Sequence, residues 1–405
     1  MPMESNPFWL NNAQYQEFCS TEELPARSDV VVIGGGITGM STAYWLSKFG
    51  IEVTLLEQRG IASGASGRNG GHIVANTIEY YSRTVENHGE AKAAEFFTFN
   101  LQTIEAIRQF VVEHNVDCQL KLDGHLTLAS TENELKEIKE TIQALHKAGF
   151  PSDFWDKERV TRELGADCFW GAQYSPDGGM LHPARLVWGI TEAALDQGTL
   201  IYTGTEATGV QTNADGGLTV ETSKGHLTTE IVVYATNAYT PLLHDFFKEK
   251  ISPVRGQVLV TEPVEPLFPY VCGANFGFEY WLQDEEGHII LGGWRWSQKE
   301  MEVGLYDDTI IVEEIHQGLY QFLTNNWPAL KGIRVEQAWT GIMGFSQDGW
   351  PIVGTLPGRG DQFVAAGFTG HGMPVCFLAG KAIAEIINSG RTSIPIGSFS
   401  PRRFL

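Results

Sequence analysis

The clearest chemical signal in the sequence is a cluster of glycines that directly follows an apolar run. Residues 30–33 read Val-Val-Val-Ile, and residues 34–39 read Gly-Gly-Gly-Ile-Thr-Gly. Glycines in this spacing allow a tight turn from strand to helix, and they let a pyrophosphate approach the backbone at the positive end of the helix. Glu57 ends the following apolar run, where its carboxylate can accept hydrogen bonds from a ribose and disfavours a 2′-phosphate. The pattern predicts a dinucleotide site on a strand–helix–strand unit, and it disfavours NADP.

A second loop of small residues follows this acid and indicates which dinucleotide is bound. Residues 60–72 read Gly-Ile-Ala-Ser-Gly-Ala-Ser-Gly-Arg-Asn-Gly-Gly-His. A nicotinamide cofactor has no obvious use for such a segment. The large planar ring of a flavin, in contrast, needs a backbone with few side chains against its N5 edge. The sequence therefore favours FAD over NAD.

Composition and charge narrow the class of protein further. The chain has 405 residues, of which 42% are hydrophobic and 19% charged, as is typical of folded globular proteins. Its net charge of −21 disfavours nucleic acid and anionic membranes as partners. No apolar run is long enough to span a membrane, and no signal peptide is expected. Five widely spaced cysteines without a CxxC pair are typical of reduced thiols, which indicates a cytoplasmic location.

Two stretches of the chain do not fit the dinucleotide-binding pattern. Residues 81–154 carry apolar residues at helical spacing behind a Thr-x-x-Glu capping box, and residues 251–336 contain several strand-like runs. We expect these two stretches to form a substrate domain. The remaining segments, 1–80, 155–250 and 337–405, are expected to form the FAD-binding domain.

The sequence resembles the D-amino-acid oxidase (DAO) family of FAD-dependent oxidoreductases over nearly its whole length. Its segment Ala-Ser-Gly-Arg-Asn-Gly-Gly, residues 65–71, is most similar to the gamma-glutamylputrescine oxidase branch. The aromatic lead at 6–10, the Gly-Gly-Met-Leu-His-Pro run at 178–183 and the Gly-Phe-Thr-Gly-His-Gly-Met run at 367–373 carry the same resemblance. It implies an α/β (α+β overall) fold. A Rossmann-type FAD-binding domain would carry an inserted antiparallel-sheet-plus-helix substrate domain, as in glycine oxidase and sarcosine oxidase.

The two glycine-rich loops and the resemblance together predict the residues that contact the cofactor. Those in the N-terminal part are Gly34, Gly35, Gly36, Ile37, Thr38, Gly39, Glu57, Gln58, Gly64, Ala65, Ser66, Arg68, Asn69, Gly70, Gly71 and His72. The resemblance adds Ala207, Ala235, Thr236, Gly344, Gly370, His371, Gly372 and Met373. FAD is expected to be non-covalent, since the positions of the flavin-linking Cys and His of related enzymes fall near Gly341 and Asn69. No metal is expected.

A helix is predicted to begin after Met373, with its N-terminus directed at the flavin. Its dipole would stabilise the anionic reduced flavin. His371 lies just before this helix and is a candidate catalytic residue. The alternative is that His371 caps the helix while neighbouring backbone amides act on the flavin.

Departures from the family pattern bear on the substrate. Where glycine oxidase-like members have an Arg that binds the substrate carboxylate, this sequence has Met343; where sarcosine oxidase-like members have a Lys, it has Pro374. With both anchors absent, we expect an amine without an α-carboxylate at the flavin. Arg295 is a second candidate catalytic-site residue: it could supply a relocated anchor, and the enzyme would then be an amino-acid oxidase or dehydrogenase. Ile290 stands where sarcosine oxidases have the Lys that accelerates reaction with oxygen, so molecular oxygen and another electron acceptor both stay open.

The reaction implied by the resemblance is oxidation of a C–N bond in a primary or secondary amine. A hydride passes from the carbon next to an unprotonated nitrogen to flavin N5, and water hydrolyses the resulting imine to an aldehyde and an amine. No dedicated acid or base is required. The residues expected to line the substrate are Tyr280, Trp281, Trp294, Met343 and Phe345. A flavin-binding protein with little catalysis and an NAD-linked dehydrogenase are the other classes considered.

Overall fold

The strands and helices of the computed structural model account for the apolar runs of the sequence, and the model describes residues 5–11, 18–19 and 23–405. Over these residues the strands are β1 Arg27–Ile33, β2 Val53–Leu56, β3 His72–Val74, β4 His125–Leu128, β5 Asp153–Asp156, β6 Gly171–Ser175, β7 Gly178–Met180, β8 Leu200–Tyr202, β9 Ala207–Thr212, β10 Leu218–Thr222, β11 Gly225–Tyr234, β12 Ile251–Thr261, β13 Val271–Ala274, β14 Glu279–Gln283, β15 Ile289–Gly293, β16 Val335–Ser346, β17 Ile352–Thr355 and β18 Gln362–Ala366. The α-helices are α1 Phe8–Asn11, α2 Ile37–Lys48, α3 Tyr81–His88, α4 Glu90–Glu113, α5 Glu132–Ala148, α6 Lys157–Leu164, α7 Pro183–Asp196, α8 Thr240–Leu243, α9 Glu313–Asn326 and α10 Cys376–Ser389.

The first sheet has a parallel centre, with β18, β11, β1, β2 and β8 side by side in that order. Strand β17 adds an antiparallel edge, and β10 and β9 continue from β11 as an antiparallel ribbon. Val31 and Val32 of β1 are completely buried, as expected for a central strand covered on both faces. Because parallel strands end at the same edge of a sheet, the turn after β1, Glu57 after β2 and Ala235 after β11 come together.

The second sheet runs in the order β16, β12, β15, β14, β13, β4, β6, β5. Adjacent strands in this sheet are antiparallel, apart from the parallel pair of β13 and β4. One face packs against α6 and α9 in a separate apolar core, which includes Leu126, Trp281 and Leu319. Since side chains alternate along a strand, the residues between these core positions point to the opposite face. That opposite face borders the cavity described below.

The two sheets divide the chain differently from the predicted domains. Strand β6 pairs with β4, and β5 pairs with β6, so residues 155–175 join the second sheet, although the sequence predicts them in the FAD-binding segment 155–250. Strand β16 pairs with β12 along nearly its whole length and therefore also belongs to the second sheet. The predicted segment 1–80 is described only in part, because residues 1–4, 12–17 and 20–22 lie outside the described residues. In the described part of the chain, no helix is both long and apolar enough to cross a membrane.

Candidate active site

A cavity of about 780 Å³ is lined by residues from both large sheets. Its volume is in the range of ligand and cofactor pockets of proteins. The nucleotide half of the cavity is the part lined by residues 33–38, 56–59 and 235–239 at the edge of the first sheet. The substrate half is the part lined by residues 74–81 and by the inner face of the second sheet. The loop of residues 64–70 borders the cavity as well.

The turn from β1 into α2 is built on contacts that exclude any side chain. A Cβ placed on Gly39 would lie 1.8 Å from the carbonyl oxygen of Gly34, and one on Gly34 would lie 2.6 Å from that of Ala235. Gly34 also has a φ of +113°, which side chains rarely tolerate. The helix N-cap, Gly36, provides no side-chain cap, and Gly36 lines the cavity. The first turn of α2 therefore presents backbone N–H groups to the cavity, as an anion site requires.

Glu57 is held at the cavity edge by backbone donors. Its Oε2 accepts a hydrogen bond from the N–H of Gly35 and its Oε1 accepts one from the N–H of Arg59, each at 2.8 Å. Burial raises the pKa of the Glu57 carboxyl. Each carboxylate oxygen can accept more than one hydrogen bond, so this orientation leaves Glu57 able to accept from the ribose hydroxyls of a dinucleotide.

The second glycine-rich loop is fastened to the first turn and to itself. The Oγ of Ser66 accepts a hydrogen bond from the N–H of Ile37 at 3.0 Å, which links the loop to α2. Asn69 donates from Nδ2 to the carbonyl oxygens of Ala65 and Ser66 and accepts from the N–H of Gly71. These bonds fix a backbone with few protruding side chains beside the cavity.

Arg68 ties this loop to the second sheet and to a distant acid. Its side chain donates to the carbonyl oxygens of Ser63 at 2.7 Å and Thr340 at 2.9 Å, and lies 3.6 Å from Asp308. Asp308 also forms an ion pair with Arg59, which lines the cavity; the Nη1 of Arg59 is 2.8 Å from the Oδ2 of Asp308. The two arginines beside the glycine-rich loops therefore share one buried carboxylate.

His371 lies in the turn before α10 and borders the cavity. Its Nδ1 is 2.8 Å from the carbonyl oxygen of Thr369, which identifies Nδ1 as the protonated nitrogen. Burial lowers the pKa of the His371 imidazole, so the ring is neutral. Helix α10 begins at Cys376, slightly later than predicted, and its N-cap Val375 provides no side-chain cap.

Two neighbouring residues of β14, both predicted to line the substrate, point to opposite faces of the second sheet. Tyr280 lines the cavity, whereas its neighbour Trp281 is fully buried in the opposite core and does not border the cavity. The expectation that Trp281 lines the substrate is corrected by the alternation of side chains along β14. Trp294 also does not line the cavity, because its ring lies against Gly318 of α9, where a Cβ would be 2.0 Å from Nε1.

Tyr280 occupies a space that glycines leave open. A Cβ on Gly292 would lie 2.4 Å from the Tyr280 ring, and one on Gly70 would lie 2.7 Å from it. The tyrosine is therefore packed against the second glycine-rich loop. Burial raises the pKa of Tyr280 to about 12, so its phenol stays protonated near neutral pH.

Arg295 lines the cavity between two aromatic rings. Its guanidinium carbon is 5.0 Å from the ring centre of Phe278 and 5.4 Å from that of Phe345, within the range of cation–π contacts. Burial lowers the pKa of Arg295, although the group stays charged. Over the residues that the structure describes, Arg295 has no carboxylate partner, in contrast to the cavity-lining Arg59, Arg68 and Arg83.

The other predicted site residues fall into two groups. All the predicted cofactor contacts line the cavity except three glycines, Gly39, Gly71 and Gly344, which bring backbones together instead. Met343 and Phe345 line the cavity, as does Pro374. Ile290, assigned to the position of an oxygen-activating lysine, is completely buried and does not border the cavity. No lysine lines the cavity among the described residues.

Several cavity residues were not singled out in the sequence. On the second sheet they are His125, Thr127 and Gln173, and at the outer end Tyr80, Phe276 and Phe278. The pattern His-Leu-Thr-Leu of β4 alternates polar and apolar residues, which is the available sequence signal for a polar inner face. In the described part of the chain, no group of three or more His, Cys, Asp and Glu residues is arranged to hold a metal ion.

A glycine-rich sheet edge that borders a cavity of cofactor size is typical of an oxidoreductase with a nucleotide cofactor. The chain belongs to the DAO family of FAD-dependent oxidoreductases, whose model matches residues 29–386. It is 27% identical over 375 residues to the probable oxidoreductase OrdL of Haemophilus influenzae, with 89% of this chain and 83% of that protein covered. It is also 27% identical over 373 residues to the gamma-glutamylputrescine oxidoreductase of Escherichia coli, with the same coverage.

A solved structure shows the same fold. The crystal structure of glycine oxidase from Geobacillus kaustophilus superposes with a TM-score of 0.83 at 22% identity, and the match covers 94% of this chain and all of that one. The predicted fold class and FAD cofactor are confirmed. The protein is therefore a FAD-dependent oxidoreductase of the DAO family.

The residues of the nucleotide half fit FAD on structural grounds. The N-terminus of α2, whose N-cap Gly36 has no capping side chain, the side-chain-free turn at Gly34 and Gly36, and the ordered carboxylate of Glu57 supply donors and acceptors for a pyrophosphate and a ribose. The small-residue loop of 64–70 provides a backbone surface for a flat ring.

Proposed function

We propose that this enzyme oxidises a C–N bond of a primary or secondary amine that carries no carboxylate on the reacting carbon. The observation that supports this proposal is the presence of two uncharged side chains at the positions of the carboxylate anchors. Met343 and Pro374 border the cavity where related enzymes have charged carboxylate anchors, and Tyr280 and Phe345 add aromatic surface. When bound, FAD supplies the acceptor for the hydride.

The chain's own residues would orient the amine and exclude water. A chamber of buried aromatic and apolar side chains disfavours an ammonium ion, so it lowers the pKa of a bound amine and favours the neutral form that can react. The protonated phenol of Tyr280 can hydrogen-bond the amine nitrogen. Because Nδ1 of His371 donates to Thr369, Nε2 is left as an acceptor at the cavity. Water can hydrolyse the imine after the imine has left the cavity.

A non-covalent flavin is part of the proposal. Gly341 and Asn69, the positions nearest those of the flavin-linking residues, have no nucleophilic side chain. Both ring nitrogens of His72 already contact backbone carbonyl oxygens, those of Gly70 at 3.1 Å and Trp281 at 3.2 Å. We expect acid precipitation of the holoenzyme to release FAD into the supernatant; yellow colour in the washed pellet would contradict this. A reducing, cytoplasmic location belongs to the same proposal and is supported by the scattered cysteines.

One observation favours a second candidate function. Arg295 is a half-buried cation at the cavity without a carboxylate partner among the described residues. A desolvated guanidinium gains most from a carboxylate, which it can bind through two parallel hydrogen bonds. This observation supports an amino-acid oxidase or dehydrogenase in which the anchor has moved from position 343 to Arg295.

The two candidates are separated by anaerobic reduction of the flavin. Purified holoenzyme would be mixed without oxygen with alkylamines, secondary amines, diamines and α-amino acids while the visible flavin absorption is recorded. Bleaching by amines without a carboxylate would support the first candidate, and bleaching by α-amino acids alone would establish the second. Admission of air then identifies the acceptor: fast return of the colour indicates an oxidase, and slow return indicates a dehydrogenase.

A further inference from the structure

The substrate half of the cavity continues beyond Tyr280 to a polar patch on the inner face of the second sheet. In β4, His125 and Thr127 point to the cavity, whereas Leu126 and Leu128 point to the opposite core. The antiparallel register sets Thr127 directly opposite Gln173 of β6, which also lines the cavity. We call His125, Thr127 and Gln173 the polar patch.

The polar patch has hydrogen-bonding capacity that the protein does not use. His125 is 7% exposed, and in the described part of the chain its Nδ1 is buried without a hydrogen-bond partner. Gln173 is 6% exposed and donates from Nε2 to the Oγ of Ser175 at 3.0 Å, which leaves its Oε1 as an acceptor at the cavity. Buried polar groups of this kind are normally paired, and an unpaired one in a cavity wall indicates a ligand.

The polar patch is also uncharged. Burial, together with the nearby His72, lowers the pKa of His125 to about 4, so its ring is neutral at physiological pH. Two charged residues also border the substrate half: Arg83 pairs with Glu137 at 2.6 Å, whereas Glu79 accepts a 2.7 Å hydrogen bond from the neutral amide of Asn87. A charged ligand group placed against the polar patch would lose its hydration without gaining a counter-charge from the patch itself.

Apolar side chains border the same chamber. Ala75, which follows β3, Phe97 of α4 and Leu145 of α5 line the cavity and are buried in the main core. A ligand in this chamber therefore meets methyl and aromatic groups together with donors and acceptors of the polar patch. An alkyl chain that ends in an uncharged polar group matches both surfaces.

We infer that His125, Thr127 and Gln173 form a distal subsite that binds an uncharged hydrogen-bonding group of the substrate, such as a carboxamide or a hydroxyl. The inference rests on the proposed function, since it requires the reacting amine to lie beside the second glycine-rich loop while the rest of the molecule extends along the sheet. The substrate is then a bifunctional amine with a neutral polar group, and a simple alkylamine binds more weakly.

The test compares three series of substrates with the holoenzyme under anaerobic conditions. These are amines that carry a terminal carboxamide, n-alkylamines of equal chain length, and amines that carry a terminal carboxylate. The rate of flavin reduction against concentration gives an apparent dissociation constant and a limiting rate. We expect one chain length of the carboxamide series to bind at least about tenfold more tightly than its alkyl counterpart, with similar limiting rates.

Conservative variants locate the effect on the polar patch. Thr127→Val and Gln173→Met remove hydrogen-bonding atoms with little change in shape, and each should weaken carboxamide binding by about three- to tenfold while leaving alkylamine binding unchanged. The matched control is Thr219→Val in β10, where the hydroxyl bonds to Asn213 at 2.8 Å outside the cavity. Equal losses for both substrate series, or a carboxylate that binds as tightly as the carboxamide, would overturn the inference.

A second measurement keeps the inference separate from the proposed function. If no amine reduces the flavin, the proposed function is wrong, but an alkyl carboxamide such as hexanamide can still be titrated into the oxidised holoenzyme. A saturable change of the flavin spectrum that Thr127→Val weakens would support the distal subsite. No change at any carboxamide chain length would reject it.

Discussion

The two halves of the cavity are constructed by different means. The nucleotide half consists of backbone brought into close contact: the carbonyl of Gly34 lies where a Cβ of Gly39 would be, and Glu57 is oriented by two main-chain N–H groups. The substrate half consists of side chains that project from alternate positions of a sheet, such as Thr127 and Tyr280. A backbone-built site permits little variation, whereas a site on a sheet face can change its ligand by exchanging single side chains.

The largest effect is expected from a methyl group in the nucleotide half. Gly39→Ala places a Cβ 1.8 Å from the carbonyl oxygen of Gly34, so helix α2 must move away from β1. We expect the purified protein to contain no FAD, or to be insoluble, because the pyrophosphate site depends on that contact. The ratio of flavin to protein absorbance measures this. Gly360→Ala is the control, since a Cβ there meets nothing within 4 Å and the backbone is not left-handed; a Gly39→Ala protein with full flavin would contradict the comparison.

Neighbouring residues of β14 should separate stability from activity in the substrate half. The ring of Trp281 packs against the rings of Phe322 and Trp327, with centroids 5.4 and 5.5 Å away, so Trp281→Ala should lower the free energy of unfolding by about 3–5 kcal/mol. The rate of flavin reduction in the folded fraction should stay near the wild-type value. Tyr280→Phe should do the opposite: it should leave stability within about 1 kcal/mol and change amine binding or the reduction rate. Denaturant titration and stopped-flow reduction test both; a Trp281→Ala enzyme of normal stability would show that the faces are misassigned.

Sequence reasoning reached the nucleotide half in residue detail because its determinants are local. The glycine spacing of 34–39 and the acid at Glu57 lie within one strand–helix–strand unit, so a short window contains the whole argument. The substrate half depends on which face of each strand turns inward. Both Tyr280 and Trp281 are aromatic, and only the pairing of β14 with β13 and β15 decides that Tyr280 faces the cavity. The same limitation hid Gln173, because its partner Thr127 is far away in the chain.

The buried carboxyl of Glu279 in β14 should make the stability of the protein depend on pH. This carboxyl is 2% exposed, accepts a 2.7 Å hydrogen bond from the Nε1 of Trp296, and burial raises its pKa from an ordinary 4.5 to about 7. The folded protein therefore binds this proton more tightly than the unfolded chain. The contribution to stability is fully present below about pH 4.5, declines as the pH rises through 7, and is absent above it.

The variant Glu279→Gln isolates this contribution. The free energy of unfolding of this variant should lack the decrease that Glu279 causes in the wild type between pH 4.5 and 7. The difference in unfolding free energy between variant and wild type should therefore change by about 3 kcal/mol across that interval. Denaturant titrations at several pH values measure the difference. The exposed Glu300→Gln is the matched control and should follow the wild-type curve. A constant difference between Glu279→Gln and wild type would show that Glu279 has no raised pKa.

We expect Arg295 to decide whether the substrate half accepts a carboxylate, because it lines the cavity without a carboxylate partner among the described residues. If the substrate carries a carboxylate, Arg295→Met removes two charge-assisted hydrogen bonds and should lower kcat/KM by about tenfold to a hundredfold, mainly through the dissociation constant. Arg295→Lys should recover part of this loss, because the charge is kept without the planar pair of donors. For an amine without a carboxylate, the same Arg295→Met change should leave kcat/KM unchanged or raise it, since an unpaired cation is removed from a chamber that must bind an amine. Anaerobic reduction with a matched pair of substrates, one with and one without the carboxylate, therefore assigns the role of Arg295, and equal losses for both substrates would show that its contacts with Phe278 and Phe345 maintain the shape of the wall.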